Sequence, residues 1–152
     1  MYWLRSCIFR VAFICVALTS CATFFSRGEP TPVYDVRNVV VLAGPNIPAA
    51  VLAGVGDRVN KAINATVRTE VYPRVVLTIR VLSVQNDQGY DKKHSVAKVT
   101  VDAASVDDGT VIAVSSFEVN SKSNSADASD EILAEDISAR IRSIFSLSAG
   151  HA

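Results

Sequence analysis

Apolar residues along the chain recur with two spacings, and each spacing predicts a type of secondary structure. Residues 36–42 are rich in valine and end at a Gly-Pro pair, which predicts a first strand. The residues after this pair predict a helix, because their apolar positions recur at helical spacing: Val51, Leu52, Val55, Val59, Ala62 and Ile63. Gly54 and Gly56 weaken this helix, but they would allow it to approach a sheet closely.

Strict alternation of apolar and polar residues predicts three further strands. In residues 74–85, one face carries Val75, Leu77, Ile79 and Val81, and the other carries Val76, Thr78, Arg80, Leu82 and Val84. Residues 86–93 are polar and predict a loop, and residues 95–103 predict the next strand, with Ala97, Val99 and Val101 on one face. Acidic residues followed by glycine at 106–109 predict a tight hairpin turn. Residues 110–120 then predict a strand in which these side chains face together: Val111, Ala113, Phe117 and Val119.

The last predicted helix has an apolar stripe formed by Leu133, Ile137, Ile141 and Ile144, flanked by Ile132 and Phe145. Asp127 or Ser129 is its expected N-cap. For the first helix, Asn46 is the expected N-cap and Pro48 is the expected first-turn proline. Charges that suit the helix dipole occupy both ends, namely Asp127, Asp130 and Glu131 at the start and Arg140 and Arg142 near the end. The order β-α-β-β-β-α predicts a two-layer α+β domain, with a four-stranded, mostly antiparallel sheet and two helices on one face.

The first twenty residues differ in character from the rest of the chain. Fifteen of them are apolar, Arg5 and Arg10 are the only charged ones, and no charge interrupts residues 11–25. A basic start followed by a short apolar run is typical of a secretory signal peptide, because a membrane-spanning helix needs about 20 apolar residues. The residues around the end of this segment, 18–21, favour a more specific interpretation, as a lipoprotein signal. The two alternatives are an ordinary secretory signal that contains a cysteine by chance, and a short anchor that is not cleaved.

The apolar run ends in Leu18-Thr19-Ser20-Cys21. This sequence resembles the lipobox of bacterial lipoproteins, in which an apolar residue and two small residues precede a cysteine. The resemblance implies that Cys21 receives a diacylglyceryl group, that the signal is cut between Ser20 and Cys21, and that the new amino terminus is acylated, as by palmitate. Two or more acyl chains hold a protein stably at a membrane surface. Ala22 stands where aspartate would mark retention at the inner membrane, so the resemblance favours the periplasmic face of the outer membrane over the outer leaflet of the inner membrane.

The chain is therefore expected to have four parts: a lipoprotein signal peptide (1–20), a lipidated tether (21–35), a single α+β domain (36–147) and a flexible tail (148–152). The tether is indicated by two prolines, a glycine and the absence of periodicity. Phe24 and Phe25, close to the lipid, would either enter the headgroup region or pack on the domain.

Charge and cysteine content exclude several classes of function. The 152 residues carry 15 Lys and Arg against 15 Asp and Glu, and removing the signal with Arg5 and Arg10 leaves 13 against 15. This balance has no basic excess of the kind that marks a nucleic-acid-binding protein. Cys7 and Cys15 leave with the signal and Cys21 is lipidated, so the mature domain would have no thiol for a disulfide, a zinc site or a nucleophile.

No constellation in the sequence indicates catalysis, and we expect neither a cofactor nor a metal. His94 and His151 are the only histidines, and no Gly-x-Ser-x-Gly motif is present, so a hydrolase built around His94 has no support. Asp87, Asp91 and His94 share one loop, and a solvated hairpin loop explains them better than a cation site does, because their spacing matches no known ligand set. Asp107 and Asp108 precede Gly109 and are therefore expected to be turn residues.

What remains is a surface. If both helices cover one face of the sheet, the opposite face is more apolar than an exposed sheet face should be. The residues proposed as a docking face are Arg80, Leu82, Val84, Ile112 and Val114. Its occupant would be another envelope protein or a second copy of the chain, and the alternative is that loops, the tether or sheet twist cover it.

The element order of residues 36–147 resembles that of small envelope-assembly lipoproteins, such as the lipopolysaccharide-assembly lipoprotein that partners an outer-membrane barrel. The resemblance implies a non-enzymatic accessory lipoprotein that binds a protein partner in envelope assembly or transport. A module that binds a small ligand, a glycan or a lipid is the alternative.

Overall fold

The computed structural model describes residues 32–88, 94–125 and 128–149. The predicted signal peptide, Cys21 and most of the tether lie outside these residues. The predicted order is confirmed: β1 (Asp35–Ala43), α1 (Ala49–Ala65), β2 (Arg74–Gln88), β3 (His94–Ser105), β4 (Val111–Lys122) and α2 (Ser129–Phe145).

The four strands form one sheet in the order β1-β2-β3-β4. β1 and β2 are parallel, since α1 returns the chain to the end at which β1 began, whereas β2, β3 and β4 pair antiparallel. The sheet is therefore mixed and mostly antiparallel, and β1 and β4 are its edges. This agrees with the α+β fold predicted from the sequence.

Both helices pack on the same face of the sheet, as predicted. The inward side chains of the central strands are fully buried or nearly so, and they include Val75, Leu77, Ile79, Val81, Ala97, Val99, Val101 and Ala103. α1 contributes Val51, Val55 and Val59 to this core, and α2 contributes Leu133, Ile137, Ile141 and Phe145. Burial of each valine, leucine, isoleucine or phenylalanine side chain in this core stabilises the fold by about 1.5–3 kcal/mol relative to exposure.

The two glycines of α1 have different neighbours. A Cβ at Gly56 would lie 3.6 Å from Cγ2 of Val41, so this residue faces the sheet as expected. A Cβ at Gly54 would instead lie 2.9 Å from the Cβ of Ala134 in α2. Gly54 therefore permits a close helix–helix contact, which the sequence did not predict.

The predicted caps of both helices are wrong. Asn46 lies in a turn with φ of 57°, and Pro48 is the N-cap of α1, with no side-chain capping hydrogen bond. Ala128 is the N-cap of α2, again without such a bond. Ser129 is the first residue of the helix, and its hydroxyl lies 2.8 Å from that of Ser95 on β3. Asp127, the other expected cap, lies outside the described residues.

Two of the register shifts in the sheet overturn the predicted face of a side chain. The register shifts between Val81 and Ser83, so Leu82 is the extra residue and Val84 pairs with Ala97. Because one added residue reverses the alternation, Val84 packs against the core, and its predicted place on the outer face is wrong. A second shift makes Ile112 the extra residue of β4.

That second shift pairs Val111 with Ala104, and paired residues share a face of the sheet. Val111 is exposed, so its predicted place beside Ala113 on the inner face is also wrong. Residues 86–88, which were predicted to belong to a loop, instead continue β2, and Gln88 pairs with His94.

Candidate functional site: the outer face of the sheet

The face of the sheet opposite the helices is covered by none of the described elements. Of the predicted docking residues, Arg80, Leu82, Ile112 and Val114 are exposed, with 48% of Leu82, 43% of Ile112 and 65% of Val114 accessible to solvent. Val84 is not part of this face. We call these four exposed residues, with Val40, Leu42 and Val111, the outer face.

The apolar residues of the outer face lie mainly along the two edge strands. Val40 and Leu42 are exposed on β1, and Val111, Ile112 and Val114 are exposed on β4. In the described part of the chain, neither strand has a second partner, so each leaves one row of backbone N–H and C=O groups available. Each edge thus combines apolar side chains with unused hydrogen-bonding groups.

The centre of the outer face is polar and internally paired. Nη1 of Arg80 donates to Oδ2 of Asp102 across the β2–β3 pair, and the hydroxyls of Thr100 and Ser116 lie 3.1 Å apart. Thr100, on β3, lies in the middle of this polar centre, since it pairs with Arg80 on β2 and with Ser116 on β4. The paired charges and hydroxyls give the centre a fixed pattern that another surface could match.

Beside this centre is a shallow depression of about 300 Å³, lined by Leu82, Lys98, Thr100, Ser116 and Glu118 among others. Lys98 and Glu118 are opposite each other in the β3–β4 register, so opposite charges flank the depression. Because the depression is shallow and open, it is poorly suited to enclosing a small ligand, most of whose surface a binding pocket normally buries. The arrangement can support contact with another surface, and it contains no nucleophile paired with a base.

The residues that the sequence offered as a cation or catalytic site are not part of the outer face. Asp91 falls outside the described residues, as does the side chain of Asp87, while His94 is half-buried at the start of β3. Across the residues that the structure describes, no three His, Cys, Asp or Glu side chains group as metal ligands. No helix among residues 32–88, 94–125 and 128–149 has the length and apolarity to cross a membrane.

Asp107 and Asp108 are turn residues, as predicted. Gly109 has φ of 74°, and Thr110 donates its backbone N–H to Oδ1 of Asp108 at 3.0 Å. This hydrogen bond, together with one from the Thr110 hydroxyl, lowers the pKa of Asp108. Asp107 accepts a hydrogen bond from Arg74.

A second concave region, of about 640 Å³, lies at the end of the sheet where β1 and β2 begin. We call it the end cleft, and its lining consists of Asp35, Arg37, Thr66, Arg68, Glu70, Val71, Tyr72, Pro73, Arg74 and Asp107. The sequence pattern did not predict this cleft, because its residues come from three separate segments of the chain. The available signal was the run 66–74, in which two arginines alternate with valines and a tyrosine.

Two interactions organise the end cleft. Nη2 of Arg68 donates to the carbonyl oxygens of Phe145 and Ser146, both at 3.0 Å, and so joins the cleft to the end of α2. The hydroxyl of Tyr72 donates to Oε2 of Glu70 at 2.9 Å, and this bond raises the pKa of the tyrosine. The guanidinium of Arg68 lies 5.9 Å from the centre of the Tyr72 ring.

No family model and no curated protein matches the chain. Among solved structures, protein XCC0632 from Xanthomonas campestris, of the DUF330 family model, is similar with a TM-score of 0.55 at 13% identity, over 79% of this chain and 86% of that one. The PelC dodecamer from Paraburkholderia phytofirmans has a TM-score of 0.49 at 16% identity, over 76% and 90% of the two chains. A candidate lipoprotein from Caulobacter crescentus CB15 has a TM-score of 0.44 at 12% identity, over 74% and 89%. The similarity to XCC0632 shows a shared fold.

Proposed function

We propose that the chain is a lipid-anchored envelope lipoprotein that faces the periplasm at the outer membrane. In this proposal it acts without catalysis, and its outer face binds a protein partner in envelope assembly or transport. The main observation behind the proposal is that Leu82, Ile112 and Val114 are exposed on a sheet face that no described element covers. A sheet face that carries several exposed apolar side chains favours an interaction site.

The anchor is supported by the sequence Leu18-Thr19-Ser20-Cys21 after a basic and apolar start. Acyl chains on Cys21 would confine the domain to a membrane surface, where it meets envelope proteins at a high local concentration. Ala22 supports the outer membrane as the destination.

A protein partner fits the outer face better than a small ligand does. The surface is broad and shallow, and apolar residues on its two edges flank the polar pair of Arg80 and Asp102. Apolar contacts would supply most of the affinity, whereas the paired charges would select the register and the partner. The free edge of β4 could also pair with a strand of the partner.

The proposal is tested by the double substitution Leu82→Glu with Val114→Glu in the full chain. Both side chains are exposed, so the domain should still fold, whereas a partner that covers them would have to bury two carboxylates. A matched control places the same charges on the helix side, at the exposed residues Ala53 and Ala139. Each variant is expressed in its bacterial host, membranes are cross-linked, and adducts and co-purifying proteins are compared.

We expect the outer-face variant to lose its discrete partner and the control to keep it, while both stay in the membrane fraction. Unchanged capture and an unchanged oligomeric state would contradict the proposed docking face. A monomer that retains a lipid or sugar after purification would support the ligand-binding alternative instead. Separately, Cys21→Ser should release the protein from membranes, and continued sedimentation with them would contradict the anchor.

A further inference from the structure

We propose that the end of the domain formed by residues 66–74 and the 106–109 turn rests on the lipid surface that holds the anchor. This inference deepens the proposed function and rests on its lipid anchor. The occupant to which it commits is the phospholipid surface itself, at the depth of the headgroups.

Backbone hydrogen bonds bring the segments of this end together. The N–H of Asp35 donates to the carbonyl of Pro73 at 3.0 Å, which places the entry of the chain beside residues 66–74. The N–H of Val106 donates to the carbonyl of Arg74, also at 3.0 Å, which adds the hairpin turn between β3 and β4. One end of the sheet therefore carries the chain entry, the loop before β2 and the hairpin turn.

The point at which the chain enters the domain favours one end of the sheet as the end nearer to the membrane. Eleven residues, 22–32, separate Cys21 from Val33, and fully extended they span at most about 35–40 Å. The nine residues of β1 then run away from this end, and they place the opposite end about 30 Å farther along the sheet. Because the lipid on Cys21 would be joined to the domain at the entry end, this end can meet the bilayer without the tether running back along the sheet.

This end also holds the most exposed large apolar side chains of the described residues. Val71 is fully exposed and Val67 is 84% exposed, so neither side chain packs on the domain. Val106 on the hairpin turn is exposed as well, and Tyr72 is half-buried beside Val71. Apolar residues accompanied by an amphipathic aromatic ring suit the boundary between headgroups and acyl chains.

The charges at this end are balanced rather than basic. Arg37 forms an ion pair with Asp35, and Arg74 forms one with Asp107. Clusters of unpaired lysines and arginines are what attract anionic lipids, and this end does not have one. The contact should therefore be apolar in origin, form on zwitterionic phosphatidylcholine, and persist at high salt.

The mature chain offers a direct test, because it has no cysteine apart from Cys21. The full lipidated protein carrying Val71→Cys is labelled with a fluorophore and reconstituted into phosphatidylcholine vesicles that contain a headgroup spin label. The matched control is Asn124→Cys, an exposed residue between β4 and α2 at the opposite end. Flotation establishes that each protein is bound, and quenching of fluorescence reports proximity to the lipid.

We expect both proteins to float, the label at position 71 to be quenched at least several-fold more than that at 124, and the difference to survive 1 M salt. If both float but the labels are quenched equally, the membrane-facing end is refuted while the anchor stands. A quenching difference that disappears in 1 M salt would refute the apolar contact. Failure of the wild-type lipidated chain to float would refute the anchor and the inference with it.

Discussion

Gly54 of α1 and Ala134 of α2 bring the two helices into close contact. A Cβ atom on Gly54 would lie 2.9 Å from the Cβ of Ala134 and 2.9 Å from Nη1 of Arg58. The arginine end could move aside, but the Cβ of Ala134 is fixed to the backbone of α2. The spacing of the two helices over the sheet therefore depends on the missing side chain at position 54.

Gly54→Ala should destabilise the domain, although alanine is favoured over glycine in a helix by about 1 kcal/mol. The added methyl group has to separate the helices, and overpacking of this kind costs about 1–3 kcal/mol. The matched control is Gly56→Ala, whose Cβ would make an ordinary 3.6 Å contact with Val41. Urea unfolding should give a lower free energy of unfolding for the first variant and an unchanged or higher one for the second. Equal stabilisation by both would contradict the close contact.

Glu135 joins the two helices through two arginines. Its carboxylate accepts hydrogen bonds from Nη2 of Arg142 at 2.7 Å and from Nε of Arg58 at 2.8 Å. The hydrogen bond from Arg142 is the main reason that the pKa of Glu135 is lowered, and Arg58 adds to it. Because the side chain is 48% exposed, solvent screens the interaction, and Glu135→Gln should cost only about 0.5–1 kcal/mol at pH 7.

The pH dependence of this cost has a definite sign. A group whose pKa is lower in the folded state than in the unfolded state stabilises the fold above its unfolded pKa, which is about 4.3 for glutamate. The contribution is lost as the pH falls through the folded pKa. The difference in unfolding free energy between wild type and Glu135→Gln should thus be constant from pH 6 to 7 and shrink below about pH 4. A difference in unfolding free energy that grows on acidification would contradict this account. The control is Glu131→Gln, which should change the unfolding free energy little, because the Glu131 side chain is 76% exposed.

The sequence predicted the inward face of the sheet well, because Val75, Leu77, Ile79 and Val81 alternate without interruption and any shift of one residue would expose them all. It did not predict the extra residues Leu82 and Ile112, since a bulge is a property of how two strands pair. For the same reason, the exposure of Arg80, Leu82, Ile112 and Val114 was predicted correctly, whereas that of Val84 was not. The end cleft was missed because it is assembled from segments that only the completed sheet brings together.

The bulge at Leu82 can be tested by comparing two nearby positions. Val84 packs against the core, so Val84→Glu should lower the free energy of unfolding by about 2 kcal/mol or more. Leu82→Glu, on the other face, should change it by no more than about 0.5–1 kcal/mol. Thermal and urea unfolding would measure both. Similar losses at the two positions would mean that they share a face, contrary to the register described.

Arg68 is expected to stabilise the end of α2. Its guanidinium donates to the carbonyls of Phe145 and Ser146, which have no partner within the helix ladder, and its charge suits the negative end of the dipole. Arg68→Met should therefore cost about 1–2 kcal/mol. The control is Arg74→Met, which removes only an exposed ion pair with Asp107 and should cost less than about 1 kcal/mol. Faster amide exchange confined to the last turn of α2 in the Arg68 variant would show that the lost stability comes from this helix end. Equal stability of the two variants would contradict a stabilising role for Arg68.

The most direct test of the central claim is site-specific photo-cross-linking in intact cells. A photoreactive amino acid is placed at Leu82 on the outer face and, in a separate strain, at the exposed Ala139 on the helix side. The proposed function predicts a discrete protein adduct from position 82, in the outer-membrane fraction, that position 139 does not form. Absence of an adduct from position 82, or the same adducts from both positions, would contradict a docking role for the outer face.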